Sequence, residues 1–275
     1  MPVSVGASSA RLCDVGTILP GGVANAGQVI RDGDTVLRPS NSHSMSIHGF
    51  LKALRGTGFA GASMPIEILG DGRERLQFID GDVPIPPYAA WAQSDDALVS
   101  MTRLLLEFHR ASSLVSAHLP TWSDELSDPV GGTVVCHNDV CMENVVFRDG
   151  VAVGLLDFDF AAPGRPLYDL AQFACMCVPI DDELSAARLG WNISDNPTRL
   201  RLVTDAYEVT AESRSQLIEI LDHSMHRGED FVRRRVAAGD ENFIAMLKQM
   251  GGIERYERRR QWWESRRAAF VTALG

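Results

Sequence analysis

The chain has 275 residues, a formal net charge of −10 and 45% hydrophobic residues. This length suits one large domain or two lobes around a cleft, and the composition is sufficient for a sizeable buried core. The acidic balance speaks against nucleic acid as a partner. No apolar run is long enough to span a membrane, and the N-terminus lacks the basic-then-apolar pattern of a secretion signal. Cys13, Cys136, Cys141, Cys175 and Cys177 do not fall at zinc-ligand spacing, so they read as free thiols of a cytoplasmic protein.

In chain order, Leu19-Pro20-Gly21-Gly22-Val23-Ala24-Asn25 is a glycine-containing loop whose backbone N–H groups suit an anion such as a phosphate. It is not a Walker loop, because the lysine and hydroxyl of that pattern are missing. Two β-hairpins are expected, at 29–38 around Asp32-Gly33-Asp34 and at 66–79 around Gly70-Asp71-Gly72. Between them, Ile47, Phe50, Leu51 and Leu54 fall at helical spacing over 46–57. The stretch 81–87, rich in proline and glycine, breaks the pattern and reads as a linker. Beyond it, helices are expected at 98–112, 198–209, 213–238 and 252–273, with one β-rich interruption at 133–158. Residues 248–275 carry seven basic and three acidic side chains and read as a helix with a solvated basic face and Trp262, Trp263 and Phe270 turned inward.

The β-rich interruption holds the chemistry. Asp149-Gly150 is a type I′ hairpin signal, and a two-residue turn pairs 148 with 151. Extending that register puts 144 opposite 155 and 142 opposite 157, so Asn144 and Asp157 should emerge on one face at the open end. An amide oxygen and a carboxylate on one face can share a hard divalent cation, and Asp139, in the loop leading in, can orient a hydroxyl and take its proton. These are the parts of a phosphoryl-transfer site.

His137-Asn138-Asp139, then Asn144, then Asp157-Phe158-Asp159, followed by Gly164-Arg165-Pro166-Leu167-Tyr168-Asp169-Leu170-Ala171, resembles the catalytic and metal motifs of the aminoglycoside phosphotransferase and choline kinase-like family. The resemblance runs through 15–275 and is concentrated in 133–172. It implies an α+β, two-lobed protein-kinase-like fold: a small β-rich N-lobe over 1–80, a hinge at 81–87, and a larger, mainly helical C-lobe over 88–275. It implies Asp139 as the catalytic group, Asn144 and Asp157 as Mg²⁺ ligands, and Asp159 as a further metal or substrate contact. His137 and Asp169 are implied as structural support of the loop. For ATP or GTP it implies Gly21, Gly22, Asn25, Arg38, Phe78, Ile79, Gly81 and Leu156. Kinases pair the strand cation with a helix glutamate, but the helix at 44–57 contains no acidic residue.

The expected activity is transfer of the γ-phosphoryl group to a hydroxyl of a small, cationic, aminoglycoside- or antibiotic-like molecule, by a monomer or homodimer. Asp181, Asp182, Glu183, Asp205, Glu208 and Glu212 are candidate contacts for its charge. The alternatives are a metabolic kinase of an amino alcohol or sugar, and a nucleotide-binding immunity or regulatory protein without turnover.

Overall fold

The computed structural model describes residues 16–20, 22–117, 121–192 and 195–275. Its first part is a five-stranded antiparallel sheet in the order β1-β2-β3-β5-β4. The strands are β1 (Thr17–Ile18), β2 (Ile30–Asp32), β3 (Thr35–Pro39), β4 (Pro65–Ile68) and β5 (Arg73–Gln77), so both expected hairpins form. Helix α1 (Ser44–Gly56) lies between β3 and β4 in sequence and buries Ile47, Phe50, Leu51 and Leu54. Full burial of each such side chain stabilises by about 1.5–3 kcal/mol. Phe50 packs edge-on against Phe108 at 6.2 Å and Trp122 at 5.8 Å, which joins the sheet-rich part to the rest.

The rest is mainly helical. Helix α2 (Asp95–Ser112) starts where Ser94 accepts a hydrogen bond from the Ala97 N–H, with Asp95 and Asp96 on the first turn to complement the helix dipole. Its Leu98, Met101, Leu105 and Phe108 are buried. Two short antiparallel pairs follow: β6 (Val134–Cys136) with β9 (Ala162–Gly164), and β7 (Val145–Arg148) with β8 (Val151–Leu155). Helices α3 (Pro166–Cys177), α4 (Glu183–Arg188), α5 (Asn196–Ala206), α6 (Ala211–Ala237), α7 (Glu241–Gln249) and α8 (Glu254–Leu274) complete the chain. The α+β class and the division into a small sheet and a larger helical part hold as expected. None of the helices among the described residues is long and apolar enough to cross a membrane.

Two expectations need correction. In the β7–β8 hairpin the turn is as predicted, with Asp149 at φ 51° and Gly150 at φ 77°, and Arg148 pairs with Val151. The register then slips: Val146 pairs with Gly154 and Val145 with Leu155, leaving Val153 as a bulge. The open end is therefore one residue out from the simple extension, and Asn144 meets Leu156, whose N–H donates to the Asn144 carbonyl at 2.8 Å. A bulge re-aims the strand beyond it. The second correction concerns α8. Trp262, Trp263 and Phe270 are buried as expected, but much of its basic face is paired rather than solvated. Arg255 bonds Asp181, Arg258 bonds Asp182, Arg260 bonds Glu229 and Arg266 bonds Glu183.

The segment after β5 is pinned to β7. Asp82 and Phe147 exchange both backbone hydrogen bonds at 2.8 Å, and the Arg148 guanidinium donates to the Asp80 carbonyl at 2.8 Å. Gly81 sits at φ 147°, and a Cβ there would overlap the Phe147 carbonyl. Gly81→Ala should cost about 1–3 kcal/mol through backbone strain alone, and more if the Asp82–Phe147 pairing breaks. The midpoint of urea denaturation measures it.

Candidate active site

Strand β6 delivers the chain into the loop 137–144, which is held almost entirely by buried polar contacts. The Asp169 carboxylate, fully buried on α3, accepts from the His137 N–H at 2.7 Å, the Asn138 N–H at 2.8 Å and the His109 ring at 2.9 Å. Burial alone would raise its pKa, but the hydrogen bond and charge of His109 outweigh it and keep the group below the ordinary carboxylate range. His137, also buried, donates from Nε2 to the Leu156 carbonyl at 2.8 Å and accepts from the Asp139 N–H at Nδ1. That pattern fixes a neutral ring, and burial lowers its pKa accordingly. Its ring packs at a tilt against Phe158, with centroids 4.5 Å apart. Asn138 takes a left-handed conformation at φ 64°, a state uncommon outside glycine and best tolerated by asparagine and aspartate.

Asp157 is brought to the site by its own backbone rather than by strand alternation. It leaves β8 at φ 57°, and its carboxylate accepts from Arg38 at 2.7 Å. Arg38, on β3, is shared three ways: Nε donates to Glu74 at 2.6 Å, one terminal nitrogen to Asp157, and the other to Asp159 at 2.6 Å. Burial opposes the Arg38 charge, but Asp157, Asp159 and Glu74 together hold it firmly protonated. Burial also pushes Asp157 up, yet Arg38 keeps it low; Asp159, buried beside Asp157, is pushed up to about 7.

Glu74 fills the role for which no helix residue was available. It lies on β5 directly across from Arg38, and its second oxygen bonds His48 of α1 at 2.8 Å. The acid thus comes from a strand and the helix supplies a histidine. Burial raises the Glu74 pKa, but His48 and Arg38 bring it below the ordinary range. Neither residue was singled out from sequence. The available signal was the pairing of β3 with β5, which places Glu74 opposite Arg38 on the same face.

Asp139 lies between this cluster and a cavity. The Asn144 amide nitrogen donates to the Asp139 carbonyl at 2.9 Å and to its carboxylate at 3.1 Å. Burial, then the charges of Asp157 and Glu143, push the Asp139 carboxyl well above the ordinary range. On the far side Asp139 lines a cavity of about 360 Å³, whose wall also includes Val23, Tyr88, Glu143, Trp191 and Met225. The structure therefore gathers Arg38, His137, Asp139, Asn144, Leu156, Asp157, Asp159 and Asp169 around one centre.

The remaining candidates lie further out. Gly21 falls outside the described residues. Gly22, at φ 71°, and Asn25 belong to a loop whose tip, Val23, packs against a cluster with Leu126, Phe231 and Phe243. Phe78 lies under the Arg31 guanidinium at 3.8 Å, and Ile79 is against Gly154. Five of the six acidic residues expected to greet a cation are paired with arginines: besides Asp181, Asp182 and Glu183, Asp205 bonds Arg214 and Glu208 bonds Arg110, and Glu212 lies on the first turn of α6.

Residues 86–203, which contain this whole loop-and-aspartate arrangement, match the model of the phosphotransferase enzyme family. Among curated proteins, the trifolitoxin immunity protein of Rhizobium leguminosarum bv. trifolii is 27% identical over 221 residues, covering 78% of this chain and 83% of its own. Among solved structures, a choline/ethanolamine kinase family protein from Mesorhizobium loti superposes with a TM-score of 0.60 at 14% identity, over 92% of this chain and 90% of its own. An amicoumacin kinase in complex with AMP-PNP and Ca²⁺ superposes with a TM-score of 0.63 at 9% identity, over 92% and 89%. The phosphotransferase resemblance read from the sequence and the kinase-like fold both stand.

Two substitutions test the framework of this site. Glu74→Ala leaves Arg38 and His48 without their shared acid and should destabilise by about 3–5 kcal/mol, as for breaking a buried ion pair. Asp169→Asn turns one acceptor into a donor facing the loop N–H groups and should cost about 1–3 kcal/mol or more, with faster amide exchange at His137 and Asn138. Urea denaturation and hydrogen exchange read the two effects.

Proposed function

We propose that this small-molecule kinase moves the γ-phosphoryl group of ATP or GTP onto a hydroxyl held in the cavity beside Asp139. The observation that carries the reading is the position of Asp139: its carboxyl faces the cavity on one side and is coupled to Asn144 and Asp157 on the other. In this reading Asp139 orients the acceptor hydroxyl and receives its proton, a task suited to a carboxyl whose pKa is raised. His137 and Asp169 hold the loop so that Asp139 keeps its aim.

The residues fit a divalent cation. The Asn144 amide nitrogen is spent on Asp139, which leaves the amide oxygen for a metal. Asp157 is partly exposed, and Asp157, Asp159 and Asp139 crowd more negative charge than Arg38 balances. An all-oxygen donor set of this kind suits Mg²⁺, with Asn144 and Asp157 as its ligands and Asp159 beside them. A bound Mg²⁺ would neutralise charge on the phosphates. Arg38 is assigned to the phosphates through its planar fork of donors. The loop of Gly22 and Asn25 closes over them, and the backbone at Phe78, Ile79 and Gly81, with Leu156, takes the base. This division makes 1–80 the nucleotide lobe, 81–87 the connection and 88–275 the acceptor lobe. Cys136, Cys141, Cys175 and Cys177 are free, which suits a reducing cytoplasm.

A role in antibiotic or toxin resistance fits an acceptor that phosphorylation inactivates. The likeness to an immunity protein also supports a second reading, protection by binding without turnover. Asp139→Asn separates them. Phosphoryl transfer should fall by about 100-fold or more, while thermal stabilisation by Mg²⁺ and nucleotide persists. Near-normal turnover in the variant would remove the role given to Asp139, and protection without turnover would favour binding alone.

A further inference from the structure

We infer that the acceptor is an uncharged molecule with a mainly apolar body that carries the reacting hydroxyl, not a polycationic sugar or a quaternary amine. The inference rests on the transfer reading for which atom reacts, but not for what binds. In the transfer, the hydroxyl oxygen forms a bond to the γ-phosphorus, the bond from that phosphorus to the β,γ-bridging oxygen breaks, the nucleoside diphosphate leaves, and the hydroxyl proton passes to Asp139.

Three observations carry it. The first is composition. The wall facing Asp139 is built from Met176, Met225, Met246 and Met250 with Trp191 and Phe231, and the volume of about 360 Å³ falls within the range of sites for drug-sized ligands. Methionine is unbranched and polarisable, so such a wall grips apolar surface and adapts its shape.

The second is charge. The wall contains three acids and two arginines: Asp139, Glu143 and Asp181 against Arg255 and Arg259. Asp181 is paired with Arg255 at 2.5 Å, and Glu143 accepts from the Tyr88 hydroxyl at 2.9 Å. Arg259 donates to the Ile180 carbonyl, so its cation stays at the wall. The wall is thus close to neutral, and the acids near its rim that would attract a polycation are already bound by arginines of α8. A cationic ligand entering here would lose its hydration and meet only Asp139 and Glu143 without a cationic partner, the latter already holding the Tyr88 hydroxyl.

The third is a set of unsatisfied polar atoms. Gln172 Oε1, Trp191 Nε1 and the Tyr256 hydroxyl have no hydrogen-bond partner. All three residues line the cavity, and each is less than 9% exposed. Buried polar groups ordinarily find partners. These three are closed off from solvent, so pairing them requires the wall to shift around a ligand, which the methionines permit. They supply the few orienting polar contacts that an apolar site needs, from both donors and acceptors, and none of them is ionised.

The test uses the full chain and the neutral fluorescent probe N-phenyl-1-naphthylamine, whose emission rises on entering an apolar cavity. Chloramphenicol and N-acetyl-phenylalaninol, neutral hydroxyl compounds with aromatic bodies, compete against kanamycin and choline. At least one neutral compound should displace the probe at a concentration about tenfold or more below either cation. Met246→Lys, at a partly buried wall position, should weaken that compound by about tenfold while leaving thermal stabilisation by Mg²⁺ and nucleotide unchanged. Displacement by kanamycin or choline at the lower concentration, or failure of the probe to bind, overturns the inference. Nucleotide consumption is read separately: tight binding of a neutral compound without consumption upholds the ligand class and defeats the transfer reading instead.

Discussion

The guanidinium of Arg38 is the point on which the molecule's charge balance turns. It is buried on β3, yet it reaches Glu74 on the neighbouring strand and both aspartates of the 157–159 turn. Four ionised or ionisable groups share a space from which water is largely excluded, so removing any one leaves the others with a desolvation cost no longer offset. His48 extends the arrangement into α1 through Glu74. Sheet, helix and the 157–159 turn are therefore fastened by one polar network rather than by apolar packing alone. The acid beside this strand cation comes from a strand rather than from a helix, and the cation sits between the sheet and Asp157 and Asp159.

A second balance operates in the helical part. The sequence separates an acidic body from a basic final segment, and the fold brings them back together along α8. Arg255, Arg258, Arg260 and Arg266 reach acids from α4, α6 and the turn between α3 and α4. Pairs at the exposed rim add little stability. Their larger effect is on the potential around the cavity, which is close to neutral although the chain as a whole carries −10.

Local features were legible in the sequence and long-range ones were not. The hairpin turns, the buried faces of α1 and α2, and the order Asp139, Asn144, Asp157 all depend on residues within a few positions of one another. The slip at Val153 was invisible, because Val151-Ala152-Val153-Gly154 is equally β-prone with or without a bulge. Asn144 and Asp157 were thus expected on one face for a reason that fails, and the positive φ at Asp157 does the aiming instead. Glu74 escaped notice because its meaning depends on a strand pairing 36 residues away. Helix α7 was missed because it is only nine residues long and follows Gly239-Asp240, which marked an end but also supplied the next helix's cap.

The double bond between Asp82 and Phe147 has a mechanical consequence. Two backbone hydrogen bonds on either side of one residue pair act as an axle: they resist sliding and separation but offer little resistance to rotation about the line between them. A second backbone tie lies beside it, where the Leu155 N–H donates to the Gly61 carbonyl at 2.9 Å, so rotation about Asp82 is itself restrained. The tip of the β1–β2 loop at Val23 lies at the cavity wall, against Phe231 and Phe243. The sheet part is therefore moored to the helical part at separated points, at Asp82, at Gly61 and at Val23, and any relative motion must strain at least one of them.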